Sequence, residues 1–430
     1  FILPLPLEKV NESMVRYHYM RGLLRKINRK VGSNMLSFSF AERVQNLNPS
    51  AIREILKYSA DPEVVGLSAG NPAPEAFPLE VIADISSRIF RDRPIDALQY
   101  GTTEGYGPLR ERLKAYLKQK HGIGRAFDEL LITSGAQQAI ELVAKVLCNP
   151  GDVVLCESPS FVGALNSIKS LGARLVGVPL EEDGIDLAAL EEALKTEPNV
   201  KFLYLIPNFQ NPTGKTMSLA KRRAVYALAV RYGVPVLEDD PYGELRIAGE
   251  PVPSIKSMDT EGAVIYAGSF SKILCPGMRL AYCVCDKKLM AAFVVAKQCS
   301  DVHTNVWAQR VCEAMLTRTD MDAHIREIRK IYAAKAALMM EQLDEKCPQV
   351  RYTRPEGGMF IWGTLPEGAD MPAFVRECLA RKLALVPGNA FMVDEEAPCG
   401  SFRMNFSTPT PENIVKGVSV MAGVLAAQGL

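Results

Sequence analysis

The chain has 430 residues, 48% of them hydrophobic and 23% charged, and 50 Lys and Arg against 49 Asp and Glu leave a formal charge of +1. That composition suits a globular chain with a sizeable core and excludes an intrinsically disordered one, which lacks the apolar surface to offset its ordering entropy. Near-neutrality argues against a nucleic-acid partner, and no apolar run approaches the roughly 18 residues that span a membrane.

Residues 1–34 stand apart, with seven basic residues against Glu8 and Glu12. Removing this +5 segment leaves 43 basic and 47 acidic residues, so residues 35–430 are mildly acidic. Three origins fit the segment: an added or over-extended leader, since Met35 opens a natural-looking start; a transit peptide, which its few serines oppose; or a native basic arm. A helix is expected over Met35–Ala60.

From about residue 127, short apolar runs alternate with longer amphipathic ones. The strand candidates are 130–133, 153–158, 174–180, 202–208, 235–240, 264–270 and 279–285. Most intervals leave room for a crossover helix, and nearly continuous apolarity suits strands buried on both faces. The pattern predicts an α/β fold: a large domain with a mostly parallel, seven-stranded sheet flanked by helices. Further along come a long helical stretch around 308–345, a turn at Glu356-Gly357-Gly358 between strand-like flanks, a helix near 371–382, a strand in GSFRMNFS and a final helix. These predict a smaller α+β domain. The expected division is a basic leader over 1–34, a segment over 35–75 associated with the small domain, a large domain over 76–320 and a small one over 321–430.

Ten cysteines are scattered without Cys-x-x-Cys pairs, and none of the four histidines shares metal-ligand spacing with another, so no metal is expected. Scattered thiols in apolar stretches suit a reducing, cytoplasmic setting.

Gly268-Ser-Phe-Ser-Lys-Ile-Leu-Cys-Pro-Gly-Met-Arg279 follows a strand and sets Lys272 among hydroxyls, with Arg279 seven residues on. Such a lysine can stay solvated, bind a phosphate, or, where burial lowers its pKa, form a Schiff base with an aldehyde cofactor. Thr133-Ser-Gly-Ala-Gln-Gln-Ala139 joins a strand to a helix, whose N-terminal N–H groups suit an anion. It matches neither the dinucleotide fingerprint nor the P-loop. Asn208-Phe-Gln-Asn-Pro-Thr-Gly214 and Glu238-Asp-Asp-Pro-Tyr242 follow or end strands, where open α/β sheets bind ligands. Each alone also reads as an ordinary turn or cap; together, Asn211, Asp239 and Tyr242 could converge on one bound ring.

The order and spacing of these segments resemble pyridoxal-phosphate enzymes of fold type I, in the class I/II aminotransferase family, and within it the 2-aminoadipate, kynurenine and aromatic aminotransferases. The likeness covers about residues 36–425. It implies pyridoxal 5'-phosphate as cofactor and Lys272 as the lysine that forms the internal aldimine and shuttles the proton. Asp239 would pair with the ring nitrogen, and Tyr242 and Asn211 with the 3-oxygen. Ser269, Ser271 and Arg279 would hold the phosphate, with Ala136 and Gln137 at the helix start. Phe161 would stack on the ring, where many relatives carry Tyr, and Tyr100 would reach the phosphate of the other subunit in a homodimer. Arg403 matches the arginine that clamps the substrate α-carboxylate, for which its planar fork is suited. Gly70 would line the substrate pocket, although the family has Gly more often than Ala69 beside it.

The implied activity moves an amino group from an aromatic, branched-chain or 2-aminoadipate-type L-amino acid to a 2-oxo acid, 2-oxoglutarate being the expected acceptor. Two alternatives share the likeness. One is a β-lyase using the same residues. The other is the effector domain of an aminotransferase-like transcription regulator, which the basic N-terminus suggests and the want of a helix–turn–helix pattern before Met35 opposes.

Overall fold

A computed structural model of the protein describes residues 38–45 and 61–430. The basic segment 1–34, expected as a leader or arm, lies outside the described residues, and of the helix expected over Met35–Ala60 only the turn Glu42–Gln45 lies among them. Strand β1 (Val65–Gly66) comes first, and the large sheet follows. Its strands are β2 (Asp128–Thr133), β3 (Val153–Ser158), β4 (Arg174–Glu181), β5 (Gly184–Ile185), β6 (Val200–Leu205), β7 (Val236–Asp240), β8 (Val264–Ser269) and β9 (Ala281–Asp286). They lie in the order β2-β9-β8-β7-β6-β3-β4-β5. The pairs from β8 through β7, β6 and β3 to β4 are parallel, while β9 runs antiparallel to both β8 and β2.

All seven anticipated strands are present, and the eighth, β5, is a two-residue hairpin return from β4. The strand expected over 202–208 ends early at Leu205, and the chain then leaves the sheet in the loop that carries Asn211. The helical stretch expected around 308–345 is made of two helices, Val306–Arg318 and Met321–Lys346. Extended backbone at Thr319 stops the first, and the Asp320 side chain caps the second by accepting from Ala323 N at 2.9 Å.

Continuous apolarity in these strands has a direct structural counterpart. Val153 and Leu155 of β3, Leu203 and Leu205 of β6, Val236 of β7 and Val264 of β8 join one core cluster. The alternate residues Val154, Cys156, Phe202, Tyr204, Leu237 and Ile265 join the other. The two-residue period of the pleat thus feeds a core on each face.

The second sheet has the order β10-β11-β14-β13, built from β10 (Arg351–Tyr352), β11 (Phe360–Thr364), β13 (Val386–Pro387) and β14 (Ser401–Asn405). Met371–Ala380 packs on β13, and Pro411–Ala427 packs on both Met371–Ala380 and Met321–Lys346. The remaining strand, β12 (Leu383–Ala384), pairs in parallel with β1. All ten cysteines are free. Among the described residues no helix is long and apolar enough to cross a membrane, and no cluster of ligands could hold a metal.

Arg222 holds the loop after β6 in place. Its side chain is fully buried, and its guanidinium donates to five acceptors: Met217 O, Val252 O, Pro253 O, Pro207 O and Asn208 Oδ1. The bonds to Met217 O, Pro207 O and Asn208 Oδ1 are buried, and Pro207 O also accepts from Met217 N; a buried acceptor that loses its donor costs about 1–3 kcal/mol. Arg222→Met should therefore cost at least about 3 kcal/mol of unfolding free energy in urea titrations. A loss under about 1 kcal/mol would mean that the loop carbonyls find other donors.

Candidate active site

The candidate residues sit at the carboxyl ends of β2, β3, β6, β7 and β8, with Arg403 brought in from β14. On β7, Glu238, Asp239 and Asp240 have unlike fates because the pleat sends neighbours to opposite faces. Glu238 accepts from Ile255 N at 2.9 Å and Lys256 N at 2.7 Å. Asp239 points the other way and accepts from the Tyr204 hydroxyl through Oδ2 at 2.8 Å, leaving Oδ1 buried without a partner. Burial pushes its carboxyl up to about 7, against the lowering effect of the Tyr204 hydrogen bond.

Asn211 links two other candidates. Its Nδ2 donates to the Tyr242 hydroxyl at 3.3 Å, and its Oδ1 accepts from Arg403 Nη1 at 2.9 Å. Arg403 is buried, 3% exposed, with Nη2 donating to Ser68 O at 2.7 Å and Nε left without a partner. The rings of Phe360 and Phe391 lie 4.3 and 4.8 Å from its guanidinium carbon. Their faces offer the cation an attraction that water cannot supply there. Burial lowers even this arginine to about 10.

Lys272 follows β8 by three residues. Ser269 Oγ accepts from Ser271 N at 3.1 Å, which turns the chain, and Lys272 Nζ donates to Gly70 O at 2.8 Å. Burial, then repulsion from Arg403 and Arg279, lowers the lysine to about 8. Arg279 has a left-handed φ of 51°, and its guanidinium lies so close to Gly135 that a Cβ there would collide with it. Gly135, with φ 85°, immediately precedes the helix Ala136–Leu147, so the helix N-terminus and the arginine face one small space. The Gln137 side chain is engaged elsewhere, donating to Gly163 O at 2.7 Å, which leaves the backbone N–H as its group at the helix start. The Phe161 ring is folded against Gly163, where a Cβ would overlap it.

Tyr100 is set apart from this cluster. Its ring is 82% exposed and meets only His303, edge to face at 5.6 Å, among the described ring contacts.

Several site residues escape a reading of motifs. Tyr204 is one hydroxyl in an apolar run, and only the β6–β7 register sets it beside Asp239. Phe360 and Phe391 read as core residues. Glu157, buried and pushed up to about 8 by burial, accepts from Ile206 N at 3.0 Å and Gln210 Nε2 at 3.4 Å, and so anchors the Asn211 loop.

The family model of class I and II aminotransferases matches residues 62–420. The chain is 38% identical over 388 residues to aromatic-amino-acid aminotransferase 1 of Thermococcus litoralis, covering 89% of this chain and 93% of that one. A solved Pyrococcus horikoshii kynurenine aminotransferase superposes with TM-score 0.87 at 39% identity, over 90% of this chain and 97% of its own. The alpha-aminoadipate aminotransferase of Thermus thermophilus, solved with N-(5'-phosphopyridoxyl)-L-leucine, gives 0.83 at 38% identity, over 90% and 97%. The chain belongs to the class I and II aminotransferases, with the large α/β fold of pyridoxal-phosphate enzymes of fold type I. It is a pyridoxal-phosphate-dependent transaminase that moves amino groups.

The site fits that cofactor on its own terms. Asp239 Oδ1 is a buried acceptor without a donor, Lys272 is a half-buried amine, and Arg279 with the glycine-led helix start offers an anion site. Because Lys272 titrates near 8 rather than in the usual lysine range, its neutral, nucleophilic form grows as pH rises through about 8. The rate at which apo-protein captures pyridoxal phosphate should climb to a plateau with a midpoint near pH 8. A midpoint above 10 would contradict the effect assigned to burial.

Proposed function

We propose that the chain transfers the amino group of an aromatic, branched-chain or 2-aminoadipate-type L-amino acid to 2-oxoglutarate, with the following division of labour. Bound pyridoxal phosphate supplies an electron sink for the pair left at the substrate Cα when its proton departs. Lys272 would take that proton with its neutral amine and return it to the carbon two atoms along the reacting system, a task suited to a base that titrates near working pH. Asp239 Oδ1 accepts the ring N–H and keeps that nitrogen protonated. Tyr242 and Asn211 bind the 3-oxygen. Ser269, Ser271, Arg279 and the backbone N–H groups of Ala136 and Gln137 hold the phosphate, while Phe161 covers a ring face.

Arg403 grips the α-carboxylate, which orients the Cα–H bond toward Lys272, and Gly70 leaves room for the substrate. The observation that carries this reading is the buried, half-satisfied carboxylate of Asp239, a costly arrangement unless a donor arrives.

The same reading makes the enzyme a cytoplasmic homodimer in which Tyr100 of each subunit reaches the phosphate of the other. Its support is an aromatic ring left 82% exposed and the ten free thiols. It also divides the chain into a large domain over 76–320 and a small one over 321–430, with 35–75 joined to the small one. The β1–β12 pair supports that grouping.

Lys272→Ala should abolish glutamate formation from 2-oxoglutarate with every donor tested, and borohydride should no longer fix cofactor to the protein. Turnover surviving in that variant would refute the assignment. Arg403→Lys, which gives up the bidentate fork, should lower kcat/KM for amino donors roughly 10- to 100-fold. Sedimentation should find active enzyme as a dimer, and an active monomer would remove the role given to Tyr100.

A further inference from the structure

Lys297, near the end of the helix Lys287–Gln298, lies outside every role assigned above, yet its side chain is completely buried. Its Nζ lies within hydrogen-bonding distance of four oxygens: Gln138 Oε1 at 2.7 Å, Asp301 Oδ1 at 2.8 Å, Asp301 Oδ2 at 2.9 Å and Thr304 Oγ1 at 3.0 Å. Two of those partners also hold Ser134. Ser134 N donates to Gln138 Oε1 at 2.8 Å, and Ser134 Oγ donates to Asp301 Oδ2 at 2.6 Å. Asp301 thus holds the side chain of the residue before Gly135, and Gln138, itself held by Lys297, holds its backbone.

A buried ion pair is weak support for stability, because desolvation offsets much of its attraction, and apolar replacements often do as well. What it supplies with more certainty is geometry, since both partners have fixed directions. Here the geometry belongs to the turn Thr133-Ser134-Gly135, which aims the N-terminus of Ala136–Leu147. On its other side that turn lies against Arg279 with no room for a Cβ. Small rotations of the turn would swing the N–H groups of Ala136 and Gln137 away from the space they share with the arginine.

We propose that Lys297 and Asp301 are positioning residues for the cofactor phosphate: they lock Ser134 so that the helix N–H groups and Arg279 converge on one anion. The proposal rests on the reading that places the phosphate at this helix start. It requires neither residue to touch the cofactor. Loss of the pair should weaken recognition of the phosphate group specifically, not the grip on the aldehyde ring.

The test uses refolded or dialysed apo-protein and two probes, pyridoxal phosphate and phosphate-free pyridoxal, titrated by absorbance, with inorganic phosphate as competitor. Lys297→Met and Asp301→Asn should each weaken pyridoxal phosphate roughly 10- to 100-fold, as loss of supporting groups does at other preorganised sites. The constant for pyridoxal should hold, and the inhibition constant of inorganic phosphate should rise in step. Equal weakening of both aldehydes, or of neither, would overturn the proposal. Should a single variant fail to fold by near-ultraviolet circular dichroism, the double variant Lys297→Met/Asp301→Asn, which leaves no unpaired charge, decides by the same ratio. Arg279→Met separates the two levels. If it too leaves phosphate discrimination intact, the phosphate site itself is misplaced; if it loses discrimination while the Lys297 and Asp301 variants keep it, only the positioning role fails.

Discussion

Burial of the large sheet on both faces is the constraint from which the rest of this structure follows. Central strands that feed a core on either side have no room for polar groups along their length, since each would need a donor or acceptor that the core lacks. Polar chemistry is displaced to the strand ends, where loops can supply partners. Parallel pairing then puts the carboxyl ends of β3, β6, β7 and β8 at one edge, with β2 beside them through antiparallel β9. Residues more than 100 positions apart in the chain thereby lie side by side, as Gly135 and Arg279 do.

The same constraint governs the charges. Five of the ionisable groups in or around this edge are withdrawn from water wholly or in part and differ in how far they are satisfied. Arg222 is satisfied wholly by carbonyl and amide oxygens and acts as scaffold. Lys297 is satisfied by a carboxylate and side-chain oxygens. Lys272 has a single carbonyl partner and responds by titrating near 8. Asp239 and Arg403 each keep one buried atom unpaired. Satisfaction decreases from scaffold to site, which is the order expected if the unpaired atoms are reserved for a ligand.

Much of this was legible in advance. The seven long strands follow from runs of apolar residues at crossover spacing, because burial on two faces leaves a signature that needs no partner to be read. Lys272, Arg279, Asn211 and Asp239 stand in short segments whose order is specific. Tyr204, Glu157, Phe360, Phe391 and Lys297 left no such signal. Each is an ordinary residue in an ordinary run, and its significance is a distance to another part of the chain. The break that divides the helical stretch around 308–345 left no signal either, because the capping aspartate at 320 resembles any other acidic residue on a helix face.

The amino-acid sequence by itself determined the layered α/β plan and the chemical kinds of group available, since periodicity and residue type are local properties. Its near-neutral total charge concealed a basic segment over residues 1–34 and a mildly acidic remainder. Only the tertiary structure decided which groups are left unsatisfied. Whether Asp239 has one partner or two, or how far Lys272 is stripped of water, depends on strand register and on loops packed from distant segments. Those are properties of the folded whole, because desolvation and hydrogen bonding are set by whatever lies within a few ångströms.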